Sequence, residues 1–213
     1  VKDLRGKTVL YAAGSFEGPF MDVFISLGGL SRSDVNLLNI DPQVKTSTYI
    51  AGRADGMMGS PPTQLPLVAG KRDSRALNFG DIGLVVPGSG LIATEATLKR
   101  KGDAIRKFAS IVAGGWAYIL SGKDDEAVKA IIAQRPQAKL DPAIIAAQLK
   151  EARGYLFTPA TEKQPMGFQS ESDWQAGLTT LEKVKMIDAG WKVREFFTND
   201  YLDQAIIKQI AGG

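Results

Sequence analysis

The side chains best suited to bind a small molecule lie in three loops, each of which follows a predicted β-strand. The first loop follows the apolar run 8–13, the second a short strand at 56–59, and the third a strand at 75–79. Ligands of open parallel α/β sheets bind outside the carboxyl ends of the strands. The sequence therefore predicts a polar cleft at that edge. Its expected ligand-binding residues are Gly14, Ser15, Phe16, Ser60, Pro61, Asn78 and Asp81.

The three loops offer different groups for hydrogen bonding. Ser15 and Ser60 contribute hydroxyls, Asn78 an amide and Asp81 a carboxylate, while an aromatic ring adds an apolar face. In the first loop, backbone N–H groups and the positive end of the following helix dipole favour an anion or another strong acceptor. A plain turn, with glycine chosen for its backbone geometry, explains the same residues equally well, and that alternative stays open.

The composition excludes several kinds of chemistry. The chain of 213 residues has no cysteine and no histidine. It therefore has no disulfide or thiol nucleophile, no Ser-His-Asp triad and no histidine base, and it lacks the usual zinc ligands. We expect no catalytic residue, no metal site and no cofactor. The 26 basic and 23 acidic residues form no long basic run, so we expect no nucleic-acid partner.

Two glycine motifs fail to match nucleotide-binding loops. Arg5-Gly6-Lys7-Thr8 lacks the first glycine of a P-loop and precedes a strand instead of following one. Residues 88–93 have the spacing of a dinucleotide fingerprint, but a predicted strand at 91–93 follows the glycines where a helix is required. The first motif is interpreted as a turn and the second as a flexible crossing.

The order of elements predicts an α/β fold with two parts. In residues 1–83 four strands alternate with helices through short loops, which indicates βαβ units and a parallel sheet. In this part Asp41-Pro42 is expected to open the second helix, with Asp41 as its cap. Residues 84–213 are expected to form a crossover followed by a mostly helical part, in which Asp141-Pro142 caps one helix and Asn199 caps the last. That part has one short predicted strand, so we expect its sheet to come from chain that is not present. The start at Val1-Lys2-Asp3-Leu4, already close to a strand, also suggests a truncated product.

Several stretches together resemble one protein family. Asp3-Leu4-Arg5-Gly6-Lys7-Thr8-Val9 is similar to the family's "DLKGKKV" entry to its second lobe, and residues 50–56 resemble its "L-x-G-x-x-D-A" step. Trp174-Gln175 followed by Thr198-Asn199-Asp200-Tyr201-Leu202 is close to its C-terminal "W…TNEFL" ending. The order of these motifs resembles the substrate-binding proteins of nitrate/sulfonate/taurine-type ABC importers, including the branch related to binders of thiamine-pyrimidine precursors.

The resemblance implies a type II periplasmic-binding-protein fold, with two α/β lobes, a hinge and a ligand between the lobes. It implies that the start of lobe one is missing and that residues 1–83 are lobe two. The expected function is capture of a small polar or anionic organic solute, without catalysis. The expected partners are that small-molecule ligand and an ABC permease in the membrane. We expect a periplasmic location, no signal peptide in this chain, and a monomer when full length. A small-molecule enzyme on the same fold and the effector-sensing domain of a transcription regulator remain alternatives.

Overall fold

The computed structural model describes residues 1–84 and 88–212, and it divides into two compact units. Unit 1 is Val1–Val85 and unit 2 is Val86–Gly213. The boundary predicted from the sequence falls at residues 83 and 84, close to this division. The assignment of the two units to lobes two and one stays a prediction.

Unit 1 is built on a three-stranded parallel sheet. Its strands are β1 (Thr8–Tyr11), β2 (Asn36–Asn39) and β3 (Gly56–Met57), in the order β2-β1-β3. Its helices are α1 (Glu17–Leu27), α2 (Pro42–Ile50) and α3 (Pro61–Val68), with 3-10 helices at Lys2–Leu4, Arg32–Asp34 and Phe79–Ile82. Val9 of the central strand lies opposite Leu37 on one side and Gly56 on the other. The predicted alternation of strands and helices is confirmed over residues 8–68.

The central strand has a hydrophobic core on each face, because successive side chains of a strand point to opposite faces. Val9 packs with Met21 and Ile25 of α1 on one face. Leu10, which is fully buried, packs with Tyr49 of α2 and Val68 of α3 on the other. Helix α1 therefore covers one face of the sheet, and helices α2 and α3 cover the opposite face.

Local capping signals explain where α2 begins. Pro42 occupies the first helical turn, where its missing N–H costs no hydrogen bond. The Asp41 carboxylate accepts a hydrogen bond from the Gln43 N–H at 2.7 Å. The cap predicted at Asp41 is therefore confirmed.

The fourth predicted strand, 75–79, is wrong. Residues 73–78 form no regular element, and a 3-10 helix begins at Phe79. The Asn78 N–H donates to the Asp81 carboxylate at 3.2 Å, so the backbone turns locally where a strand would need ladder hydrogen bonds. The Phe79 ring packs against Phe20 and Phe24 of α1, with centroids 5.8 and 5.5 Å apart. These contacts hold the segment against the helix layer.

Among its described residues, unit 2 consists of helices joined by loops and contains no strand. Its helices are α4 (Glu95–Leu120), α5 (Asp124–Gln134), α6 (Pro142–Ala152), α7 (Glu171–Lys183) and α8 (Gln204–Ala211), with 3-10 helices at Pro136–Ala138, Arg153–Tyr155 and Val193–Glu195. The strand predicted at 91–93 is wrong. Ile92 is 99% exposed, and no strand among residues 88–212 is available to pair with it. None of the helices in the described residues has the length and apolar character needed to cross a bilayer.

The longest helix of unit 2, α4, is held to the last one, α8. Gly114 of α4 lies against Ile210, whose Cβ would be 2.8 Å from a Cβ added at the glycine. The buried Ser110 hydroxyl accepts a hydrogen bond from the Asp203 N–H at 2.8 Å. Asp203 also caps α8, since its carboxylate accepts from two N–H groups of the first turn. The cap predicted at Asn199 is wrong, because the Asn199 side chain bonds to the backbone of Gln169 instead.

Candidate functional site

The carboxyl edge of the unit 1 sheet contains a topological switch point between β1 and β3. After β1 the chain enters α1 on one face of the sheet, and after β3 it enters α3 on the opposite face. Neighbouring parallel strands whose connections diverge in this way leave a crevice outside their carboxyl ends, where α/β proteins bind ligands. Five of the predicted residues follow these two strands: Gly14, Ser15, Phe16, Ser60 and Pro61.

The turn from β1 to α1 uses its serine internally. The Ser15 hydroxyl donates to the Ala12 carbonyl at 2.9 Å and accepts from the Glu17 N–H at 3.2 Å. Ser15 therefore stabilises the start of α1, and its hydroxyl already has two local partners. Phe16 is 52% exposed and offers its ring to the surroundings of the edge. A Cβ added at Gly14 would have no neighbour within 4 Å, so the space beside this backbone is open.

A buried ion pair lies directly behind this turn, and the sequence analysis missed it. Glu17, in the first turn of α1, accepts hydrogen bonds from the Ala12 N–H at 2.8 Å and from the Lys45 ammonium of α2. The exposed fractions of the two side chains are 5% and 3%. Because α1 and α2 cover opposite faces of the sheet, the pair spans the carboxyl end of the central strand. The sequence offered one indirect signal: Lys45 precedes Tyr49 by four residues on α2, so the lysine lies on the same helix face as that aromatic residue.

Asn39 is a second edge residue that the sequence analysis missed. It ends β2, and its side-chain oxygen accepts a hydrogen bond from the Ala13 N–H at 2.9 Å. This bond ties the end of β2 to the β1–α1 turn. The position itself was a signal, since Asn39 lies near the end of the strand predicted at 35–40, for which no edge residue had been named.

The loop after β3 presents Ser60 at its tip. Ser60 is exposed and precedes the first turn of α3, where its carbonyl accepts from the N–H groups of Thr63 and Gln64, both at 3.0 Å. Its side chain makes no capping bond to the helix, so the hydroxyl is not used there. Pro61 fills the first helical position. The side-chain amide of Gln64 lies over Gly59, 2.9 Å from where a Cβ would stand.

Asn78 and Asp81 form a separate local arrangement in unit 1. They bond to each other across the 3-10 helix, which packs on α1 through Phe79. Within the described part of the chain, Asp81 makes no hydrogen bond or ion pair with Ser15 or Ser60. The structure thus brings five of the seven predicted residues to the switch point and places the other two beside α1.

The two ends of the unit 1 sheet differ in their charged side chains. At the carboxyl edge, the Glu17–Lys45 pair is neutral overall. At the amino end of β2, hydrogen bonds from the Ser31 backbone and hydroxyl, with a smaller contribution from Arg5, hold the pKa of Asp34 below its ordinary value. Among residues 1–84 and 88–212, no cluster of three or more acidic side chains is placed to hold a metal ion. The buried pair therefore adds no net charge to the carboxyl edge, where the exposed cap of α2, Asp41, carries a carboxylate.

Comparison with known families gives one match. Residues 1–126, more than half of the chain, match the family model described as NMT1/THI5 like. No curated protein matches the chain. The family has the type II periplasmic-binding-protein fold, so the fold class and the resemblance predicted from the sequence are confirmed.

Proposed function

Because the chain belongs to the NMT1/THI5-like family, we propose that it is the solute-binding component of a bacterial ABC importer and captures a small polar or anionic organic solute. The family is generally one of non-enzymatic solute-binding proteins of ABC transport, and its members are typically extracytoplasmic. In this role the partners are a small-molecule ligand and a membrane permease, and the location is the periplasm.

The observation that carries the proposal is the switch point between β1 and β3. These two strands are followed by an open backbone at Gly14, an exposed ring at Phe16 and, at Ser60, a hydroxyl that makes no capping bond to α3. Small-molecule sites combine apolar surface with a few convergent polar groups in this manner. The edge therefore offers hydrogen bonds and one aromatic contact to a small solute.

The same edge gives no support to catalysis. Glu17, a buried carboxylate of this edge, is paired with the Lys45 ammonium and accepts the Ala12 N–H, so the protein itself holds both of its oxygens. The Ser15 hydroxyl is held by backbone partners instead of by a base. Binding without chemistry is the function that these contacts favour. A bound solute acts by favouring the closed arrangement of a two-lobed receptor, which the permease then recognises.

The proposal is tested by a thermal-shift screen of the chain against inorganic anions, sulfonates, pyrimidines and carboxamides. A ligand that binds the folded state at a hundred times its Kd stabilises it by about 2.7 kcal/mol, which is a shift of several degrees for a chain of this size. We expect such a shift with at least one class. A flat response to every class, in a protein that melts cooperatively, would contradict the proposal.

A further inference from the structure

The backbone donors of the β1–α1 turn are mostly occupied from within the protein. Five N–H groups here have internal acceptors: those of Ala12, Ala13, Ser15, Glu17 and Gly18. Among the described residues, the N–H groups of Gly14 and Phe16 alone in this turn have no such acceptor. A helix N-terminus binds anions when its N–H groups are free to point at the ligand. This turn retains little of that capacity.

A carboxylate of the protein already takes two groups that would attract an anion to this turn. Glu17 occupies the first turn of α1, where the helix dipole favours negative charge. Its two oxygens take the Ala12 N–H and the Lys45 ammonium, which are the backbone donor and the cation that an anionic solute would need. Because the pair is buried, solvent screens its charges far less than it would screen charges at the surface.

We infer that Glu17 is a specificity-determining residue, and that its carboxylate makes the β1–α1 turn select uncharged hydrogen-bonding solutes over anionic ones. The inference rests on the proposed solute-binding role and narrows its ligand class. The ammonium of Lys45 stabilises the Glu17 carboxylate in this buried position, because an isolated buried carboxylate would be strongly unfavourable. What remains for a ligand is the pair of free N–H donors, at Gly14 and Phe16, and the hydroxyl of Ser60.

The test uses acetate and acetamide, which have nearly the same shape and differ in charge. The 15N-labelled chain is titrated with each, and the amide signals of Gly14 and Phe16 report binding at the turn. Wild type should bind acetamide more tightly than acetate. Glu17→Gln keeps an acceptor for the Ala12 N–H but leaves the charge of Lys45 uncompensated. It should shift the affinity ratio toward acetate by about tenfold or more.

Glu171→Gln is the matched control. Glu171 also lies in the first turn of a helix, α7, and pairs with an arginine, Arg194, but the pair is exposed. The affinity ratio at Gly14 and Phe16 should not change in this variant. If Glu17→Gln does not fold, the double variant Glu17→Gln/Lys45→Met removes both buried charges. In this double variant the ratio of the affinity for acetate to the affinity for acetamide should also be higher than in wild type.

Three results would overturn the inference: binding of acetate by wild type as tightly as acetamide or more tightly, an unchanged affinity ratio in the folded Glu17 variants, or no acetate response in folded Glu17→Gln. A wild type that binds neither probe, together with a Glu17→Gln protein that binds acetate at the turn, would support the role of Glu17. That result would count against the proposed solute-binding edge, so failure of the inference and failure of the proposed function are distinguishable.

Discussion

Breaking the Glu17–Lys45 pair should destabilise unit 1 strongly, whereas removing both charges should not. Each single variant, Glu17→Gln or Lys45→Met, leaves one charged group buried without its partner. Removing one partner of a buried ion pair typically costs about 3–5 kcal/mol. The double variant leaves no buried charge, and a glutamine at position 17 still offers an oxygen to the Ala12 N–H. We expect the double variant to lower the free energy of unfolding by about 1–2 kcal/mol, far less than the sum of the losses in the two single variants.

The assay is urea unfolding followed by two signals. All three tryptophans, Trp116, Trp174 and Trp191, lie in unit 2, so tryptophan fluorescence follows that unit. Far-ultraviolet circular dichroism follows both units. The single variants should lower the dichroism midpoint of unit 1 and leave the fluorescence midpoint unchanged. The coupling of Glu17 and Lys45 would be refuted if the double variant lost as much free energy of unfolding as the two single variants together. Single variants as stable as wild type would refute it too.

Three further predictions concern other parts of the chain. Gly114→Ala should cost about 1–3 kcal/mol by overpacking α4 against Ile210, whereas Gly115→Ala, with no neighbour within 4 Å, should be neutral or slightly stabilising in thermal melts. Asp203→Ala should cost about 1 kcal/mol in urea unfolding, because it removes the cap of α8. The lowered pKa of Asp34 means that the folded state holds its proton less tightly than the unfolded state. Its stabilisation is therefore present above the ordinary value of 3.8 and is lost as the pH falls below it, so Asp34→Asn should flatten the acid limb of stability against pH.

Elements with strong local signals could be predicted from the sequence. The apolar run 8–13 and Gly14-Ser15 after it marked β1, although the strand ends at Tyr11. Asp41-Pro42 and Asp141-Pro142 placed the starts of α2 and α6, because both the cap and the proline act within one turn of helix. The edge positions after β1 and β3 followed from the strand assignments alone.

Contacts between distant residues could not be predicted from such signals. Glu17 and Lys45 are 28 residues apart and belong to helices on opposite faces of the sheet, so no local pattern links them. The strands predicted at 75–79 and 91–93 were apolar enough, but a strand also needs a partner. The first segment turns locally at Asn78, and the second has no strand beside it among the described residues. Tertiary context decides such short segments.

The most direct test of the central claim is to locate a bound solute on the structure. A solute that raises the melting temperature is added to the 15N-labelled chain, and amide shifts are mapped in wild type, Ser60→Trp and the control Ser33→Trp. Ser33 is also an exposed serine, but it lies before β2, at the amino end of the sheet. If the solute binds at the carboxyl edge, amide shifts are expected at residues 12–16 and 58–61, and they should be lost in Ser60→Trp and kept in Ser33→Trp. Saturable shifts confined to other residues, unaffected by Ser60→Trp, would contradict the claim.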